Sequence, residues 1–518
     1  MAAYPPLAVP FRRYPMAPAP KPSPTKRLPT GPSPTDTLHE LYADLSPAHP
    51  LDLRTPIDPW EARHARGKAL RERTPRKSHA RWVAPPDRPD PLALLDQSNQ
   101  GRVTELIPIR MGRMAASRFG FLRGSAVVMA WDLAHTPSSG IQVLIDGDAH
   151  LSNFGLFGTV ERDVVFDLND FDEATIGPWE WDLKRLVTSV NVAGRDLGLD
   201  RAERQRAVEG CLEAYHREIR GLERRGALDV WYMFLFAARK NAGLHLDAET
   251  LAVIREATGK ARHRTSATLL AQVARRGPGG RWRLLDNPPI QTRVSRADRR
   301  KIIDSLNDYA LSLPRDRRYL LSRYRVVDVA RRVIGVGSVG TRVYMVLMFG
   351  NGEDDPLFLQ IKEGTVPAAT PYVPALPEEF VAHQGRRVVT AQMGLNSSPD
   401  ILLGWTRIDG RPFYVRQMRN MKGAVPVDEL RGPAFPRYAR ACGAILARAH
   451  ARSGDAAMIA GYWGQSRALD EALVQFAEGY GNQVEKDHAR LLKAIAQGRV
   501  KAVNPSPPNA ARAQSRSK

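Results

Sequence analysis

The chain has 518 residues, 43% apolar and 25% charged, with only two cysteines, Cys211 and Cys442, which excludes collagen-like, wholly disordered and disulfide-stapled classes. Lys and Arg outnumber Asp and Glu by 76 to 55, a net charge of +21 that favours polyanionic company: phosphates, nucleic acid or an anionic membrane surface. The longest apolar run, 230–238, is far short of the roughly twenty residues of a spanning helix, so no membrane span is expected, and the sparse cysteines fit a reducing cytoplasm.

Residues 1–50 carry 13 of the 40 prolines and read as a disordered tail; Pro5, Pro6, Pro10, Pro15 and Pro18 interrupt any secretion signal. Residues 51–104 read as a basic extension, in which Arg63, Arg66, Lys68, Arg71, Arg73, Arg76, Lys77 and Arg81 face a single acid, Glu72. Two readings compete there: a solvated basic helix docked on its own domain, or a polyanion contact through residues 63–81. Residues 105–320 read as mostly helical. A helical segment through Met111, Met114, Phe119 and Val127 leads to the strand Ile141–Ile145, a polar loop and a second strand, Val164–Leu168. Helical spacing returns at Leu183, Leu186, Val187, Val190 and Leu197, Asp200 with Glu203 forms a capping-box signal, and helices are expected to about residue 312.

Residues 321–425 read as β-rich. Arg325–Ile334 and Thr341–Phe349 predict strands around a glycine-rich turn, with Leu357–Lys362 as a third. A helix from about Glu378 to Met393 and a hairpin turning at Asp409-Gly410 follow. Residues 426–497 predict C-terminal helices, starting with Tyr438, Cys442, Ile445, Leu446 and Ala449, and 498–518 a disordered basic tail. The expected fold class is α+β.

Chemistry concentrates where strands end. Asp146-Gly147-Asp148-Ala149-His150-Leu151-Ser152-Asn153 follows one strand, and Asp167-Leu168-Asn169-Asp170-Phe171-Asp172-Glu173 closes the next. Carboxylates packed at the end of an apolar β-pair repel one another unless a cation or a phosphate–metal complex compensates; the bland alternative is an acid-rich turn that caps helices. The spacing resembles the catalytic segment of protein-kinase-like phosphotransferases of the aminoglycoside phosphotransferase and choline kinase branch, Gly-Asp-x-His-x-x-Asn followed by Asp-Phe-x-Asp. Asp148, His150, Asn153, Asp170 and Asp172 sit on that pattern, and Pro178 with Trp181-Asp182-Leu183 continues it.

Phosphoryl transfer is mostly positioning and charge neutralisation, and it suggests roles for these residues. Asp148 would orient or deprotonate the acceptor hydroxyl, Asn153 and Asp170 would hold Mg²⁺ through oxygen, and Asp172 would support the metal. His150 and Asp182 read as loop-organising groups, Trp179 and Trp181 as core, and Arg123 with Lys184-Arg185 as salt-bridge partners of the acids or phosphate contacts.

Gly335-Val336-Gly337-Ser338-Val339-Gly340 lies between two strands, and Lys362 ends a third. A lone glycine motif is weak, and a structural hairpin turn is its bland reading. A strand after Gly340, where a dinucleotide fold would place a helix, favours a kinase-type nucleotide loop: Gly335, Gly337, Ser338 and Gly340 around the phosphates of ATP, Lys362 as the point charge. Glu378 or Glu379 would pair with Lys362, although Gln384 and Gln392 share that helix. In ordinary kinases loop and lysine precede the catalytic segment, whereas here they follow it. The resemblance therefore implies a two-lobe kinase-like fold in circular permutation: catalytic helical lobe first, nucleotide lobe second, with the helix at Ala444–His450 completing the first.

Arg110-Met111-Gly112-Arg113-Met114, Phe121-Leu122-Arg123-Gly124, Gly147–Gly155, Phe166–Glu173, Gly177–Asp182, Gly335–Arg342 and Phe358–Glu363 together resemble the bacterial family catalogued as domain of unknown function 2252, over roughly residues 60–490. That family implies no settled activity. Ser117-Arg118-Phe119 departs from its Ser-Pro-Phe at a helix-breaking position.

The leading expectation is a Mg²⁺-dependent, ATP-using phosphotransferase acting on a small-molecule hydroxyl, with nucleotidyl transfer available to the same parts. A noncatalytic scaffold that binds nucleic acid or senses nucleotide is the main alternative. A metallophosphoesterase would use Asp148-Ala149-His150, but no Gly-Asp-x-x-Asp continuation occurs: Gly454-Asp455-Ala456-Ala457-Met458 fails at its last position.

Overall fold

The computed structural model describes residues 56–235, 247–374, 376 and 381–503. The proline-rich tail, the end of the chain from 504, residues 236–238 of the apolar run, and Glu378 and Glu379 lie outside the described residues. The fold mixes helix and strand in the α+β manner.

Helix α1 (Trp60–Arg73) opens the described chain and α2 (Pro91–Asn99) follows. The single helix expected through Met111–Val127 is instead three short ones, α3 (Ile107–Ala115), α4 (Arg118–Gly124) and α5 (Ala126–Ala134). Ser117 is the cause of the first break: its hydroxyl accepts the Gly120 N–H at 2.9 Å and restarts the helix. Arg118 therefore sits at the first helical position, where proline is favoured rather than helix-breaking.

Four strands come next: β1 (Gln142–Ile145), β2 (Phe154–Gly158), β3 (Val164–Leu168) and β4 (Thr175–Pro178). The two strands expected from the sequence do not pair with each other; β1 pairs with β4 and β2 with β3. Helix α6 (Trp179–Asp196) runs from β4 through the core, and α7 (Arg201–Leu222) starts on the predicted capping box, with Glu203 N 2.8 Å from Asp200 Oδ1.

Short helices α8 (Ala227–Trp231), α9 (Ala248–Arg262) and α10 (Ser266–Val273) follow. The stretch expected to stay helical to about 312 then contains the hairpin β5 (Ala274–Arg276) and β6 (Trp282–Leu284), and β7 (Gln291–Arg293). These three-residue strands, rich in arginine, offer no alternation to read. Helices α11 (Arg296–Leu311) and α12 (Arg315–Leu321) precede the long strands β8 (Arg325–Arg332), β9 (Val343–Phe349) and β10 (Pro356–Glu363). Then come α13 (Gln384–Leu395), whose expected start at about Glu378 lies outside the described residues, and the hairpin β11 (Gly404–Ile408) and β12 (Arg411–Gln417). Helices α14 (Ala434–Ser453), α15 (Ala456–Trp463) and α16 (Ala468–Ala496) finish the fold.

Six strands form one antiparallel sheet in the order β11-β12-β10-β9-β8-β7, so the sheet begins at residue 291, earlier than the boundary of 321 read from the sequence. Alternation on β10 divides its side chains. Leu357, Leu359 and Ile361 pack with Ile302 and Tyr309 of α11, whereas Phe358 joins Leu269 and Leu270 of α10 on the other face, which also carries Gln360 and Lys362. The larger core lies among the helices. There α7 and α14 approach so closely that a Cβ on Gly443 would collide with the Cys211 carbonyl, and both cysteines are buried free thiols.

The basic extension is docked on the fold. Arg71 and Arg76 cap the C-terminal carbonyls of α15 (Arg71 Nε to Tyr462 O 2.9 Å, Arg76 Nη1 to Trp463 O 2.5 Å), and Arg63 pairs with Asp455 at 2.7 Å. Among the described residues no helix is long and apolar enough to cross a membrane.

Candidate active site

Two acid-rich loops, 146–153 between β1 and β2 and 169–174 between β3 and β4, bridge the same two small ladders and so face each other. They cross at Gly147, whose φ is +75° and where a Cβ would collide with the Glu173 carbonyl; only glycine satisfies both conditions. Asp182, in the first turn of α6, fixes the first loop by accepting the N–H groups of Asp146 (2.6 Å) and Gly147 (2.9 Å). His450 of α14 lies 3.3 Å from the same carboxylate and is itself held by the Tyr215 hydroxyl at 2.7 Å.

Within the loop, Asn153 donates through Nδ2 to Asp146 Oδ1 (2.8 Å) and to the Asp170 carbonyl (2.9 Å), which ties the two loops together. Its Oδ1 makes no hydrogen bond among the described residues, and Asn153 lines the cavity described below. Asp146 is buried with Oδ2 unpartnered; burial, with Asp182 and Asp148 close by, holds its carboxyl well above the usual carboxylate range. Asp148 receives the Arg185 guanidinium (Nε 2.6 Å). Burial pushes the Asp148 carboxyl up to about 7, against the opposing pull of Arg185. His150 packs edge-on against Phe119 with Nε2 3.6 Å from Asp148, and burial drives its pKa well below the usual histidine value, which keeps it neutral.

The second loop meets the sheet. Lys362 Nζ touches Asp172 Oδ2 and lies 3.4 Å from Asp170 Oδ2. Burial disfavours the ammonium, but Asp170 and Asp172 outweigh it and raise the lysine above its ordinary value. Asp170 falls to about 2, since Lys362, Arg416 and Lys422 outweigh the upward effect of burial. Asp172 also accepts from the Tyr414 hydroxyl at 2.9 Å; Tyr414 stands opposite Lys362 in the β10–β12 register.

The glycine turn lies over this pair. Ser338 Oγ donates to Asp172 Oδ2 at 3.2 Å. Arg102 binds the carbonyls of Gly337 (2.8 Å) and Val339 (2.7 Å), and Arg113 that of Gly335. With those carbonyls held, the N–H groups of Gly337 and Ser338 make no hydrogen bond among the described residues, the state in which backbone amides accept an anion. Asp148, Asn153, Asp170, Asp172 and Lys362 share with Gly335, Gly337 and Ser338 one cavity of about 940 Å³. Gly340 stands outside its wall and carries a φ of +93° at the return of the turn, its carbonyl accepting from Val103 N at 2.8 Å.

Other expected residues sort differently. Lys184 points away from the acids, to Thr136 Oγ1 at 2.8 Å, and Arg123 lies over Phe119 with no ion pair among the described residues. Trp179 is buried core, stacked with Tyr215. The glutamates expected to pair with Lys362 lie outside the described residues; α13 supplies Arg387, which donates to the carbonyls of Asp172 (2.6 Å) and Thr365 (2.9 Å), while Gln384 accepts from Arg387. Sequence reasoning missed Tyr414, Arg387, Arg416 and Lys422. A period-two reading of β10 and β12 finds Tyr414 and Arg416, which share a face with Lys362 and Gln360.

Among the described residues no group of three or more His, Cys, Asp or Glu is arranged to hold a metal by itself. Two carboxylates and the amide oxygen of Asn153 are hard oxygen donors, and Asp170 keeps 38% of its side chain exposed. This set fits magnesium that arrives with a phosphate chain, not a cation caged by protein alone.

A model of the family described as "Uncharacterized protein conserved in bacteria (DUF2252)" matches residues 102–494, and the chain belongs to that family. No curated protein matches the chain, and no solved structure does.

Proposed function

We propose that this DUF2252 protein is a Mg²⁺-dependent, ATP-using phosphotransferase with a circularly permuted kinase-like fold, acting on a small-molecule hydroxyl. The observation that carries the reading is the distance of 3.4 Å between Lys362 Nζ and Asp170 Oδ2, residues 192 positions apart in sequence. A glycine turn with free amides, a strand lysine and a loop aspartate converge on one cavity, as phosphate binding requires.

The permuted connection is supported at the other end of the site. Helix α14 ends alongside the catalytic strand β1, with Ser453 Oγ 3.3 Å from the Leu144 carbonyl, a proximity that supports an unpermuted order running from α14 into β1. Each part then has a task. Gly337 and Ser338 N–H groups and Lys362 receive phosphate oxygens; Asn153, Asp170 and Asp172 would hold Mg²⁺, which supplies charge neutralisation to the phosphates. Asp148 takes the proton of the acceptor hydroxyl through its carboxylate, and Arg185 keeps that carboxylate oriented. The contacts of Arg63, Arg71 and Arg76 within the chain weigh against a nucleic-acid scaffold.

Thermal unfolding with Mg-ATP tests the reading. Ligand at about a hundred times its dissociation constant adds roughly 2.7 kcal/mol. A Mg²⁺-dependent rise in midpoint in the wild type, lost in Asp170→Ala, is expected; folded proteins without any response would remove the nucleotide site.

A further inference from the structure

Four cations line the same cavity as Asp170: Arg332 at the end of β8, Arg416 on β12, and Arg419 and Lys422 just after it. None of them makes an ion pair among the described residues. Arg416 donates to the neutral oxygens of Gln360 (2.9 Å) and Asn169 (3.1 Å). Arg332 reaches Gln291 Oε1 at 3.1 Å and leaves its Nε buried without a partner. Arg419 and Lys422 make no hydrogen bond at all among the described residues. The charges repel: burial first, then Arg416, with Lys362 and Arg419 and against the opposing pull of Asp170, depress the Lys422 ammonium well below its ordinary value, and burial followed by Arg419 lowers Arg332. Asp170, the loop carboxylate that acts on both Arg416 and Lys422, is already shared with Lys362. Arg416 is buried and the other three are half-buried, and cations outnumber the negative charge beside them; such crowding costs folding free energy, and a multiply charged anion offsets that cost.

We propose that Arg332, Arg416, Arg419 and Lys422 form an anion subsite of this cavity, distinct from the Lys362 position, that takes a phosphoryl group. A dianion answers several cations at once where a single carboxylate does not, and guanidinium forks suit its oxygens. The naming of a phosphate rests on the phosphotransferase reading, and the anion site on the cation cluster. The phosphoryl group belongs either to a phosphorylated acceptor or to the nucleotide's own chain, and the cavity of about 940 Å³ has room for a nucleotide and a small second ligand.

The probe is inorganic pyrophosphate, titrated calorimetrically without divalent cation into the full-length wild type, Lys422→Met and Arg419→Gln. Binding to the wild type that weakens about tenfold or more in each variant is expected, since each removes a charge-assisted contact. Without ligand, Lys422→Met should melt at or above the wild-type temperature, because it deletes a half-buried charge that burial and its cationic neighbours disfavour and that makes no ion pair among the described residues. Equal affinity in all three, no binding by the wild type, or a lower ligand-free midpoint in Lys422→Met overturns the subsite. Mg-ATP, tested separately against Asp170→Ala, reports on the nucleotide reading alone. Binding of Mg-ATP in saturating pyrophosphate assigns the group to the acceptor, mutual exclusion assigns it to the nucleotide, and both support the subsite.

Discussion

The Lys362 ammonium touches Asp172 and sits 3.4 Å from Asp170, so a single cation from the sheet bridges both aspartates of the second acidic loop. A divalent cation held by those oxygens, as proposed, would compete with the lysine for the same negative charge, and a bound phosphate would have to draw the ammonium toward itself.

Lys362→Met tests that competition. The lysine is 1% exposed, and breaking a buried pair costs on the order of 3–5 kcal/mol, less here because Asp170 is 38% exposed. The variant is expected to melt below wild type and to lose Mg-ATP turnover. Mg²⁺ alone should raise its midpoint more than that of wild type, since the freed carboxylates now lack a cation. An equal Mg²⁺ response in the two proteins would show that these oxygens attract no divalent ion.

As the proposed base, Asp148 would set the pH dependence of turnover. Burial lifts its carboxyl to about 7, and a general base works only when ionised. The folded value lies above the ordinary carboxylate range, so turnover should rise with pH through about 7 and fall on the acid side. Arg185 opposes the lift, which means Arg185→Met should move the acid limb to higher pH in whatever fraction remains folded. A profile flat between about pH 6 and 8 would remove Asp148 as the base.

The candidate site could be read where residues break the rules of their element. Asp148, Asn153, Asp170 and Asp172 are poor strand formers at strand ends, and the turn 335–340 puts three glycines between two apolar strands. What the local sequence does not encode is distance across the chain: nothing near Lys362 announces Asp172, which reaches it through the fold of four short strands. Strand β7, three residues of Gln-Thr-Arg, was illegible because its edge position is set by pairing with β8 rather than by propensity. Arg387 hid in the same way: it is a helix arginine by pattern, yet 1% exposed and bonded to three carbonyls of other segments.

The basic extension yields a different expectation. Because Arg71 and Arg76 cap α15, replacing either with alanine should lower the midpoint, by about 1–2 kcal/mol for each lost set of charge-assisted bonds. Affinity for duplex DNA, measured by anisotropy at physiological salt, should stay at the non-specific level and not change with these substitutions. A tenfold loss of DNA affinity in Arg71→Ala at unchanged stability would restore the polyanion reading.

Asp182 holds the first acidic loop from beneath, so its loss should couple stability to ligand binding. Asp182→Ala removes the acceptor of the buried Asp146 N–H and the half-buried Gly147 N–H and the neighbour of His450, at roughly 1–3 kcal/mol for the buried group and less for the other. Asp182→Asn keeps one carbonyl oxygen in place and should cost about half as much. If the carboxylate acts by orienting Asp148 and Asn153, the alanine variant will also bind Mg-ATP more weakly at temperatures where it remains folded. Should affinity stay at the wild-type level while stability falls, Asp182 braces the core and leaves the geometry of the loop to Asn153 and its bond to the Asp170 carbonyl.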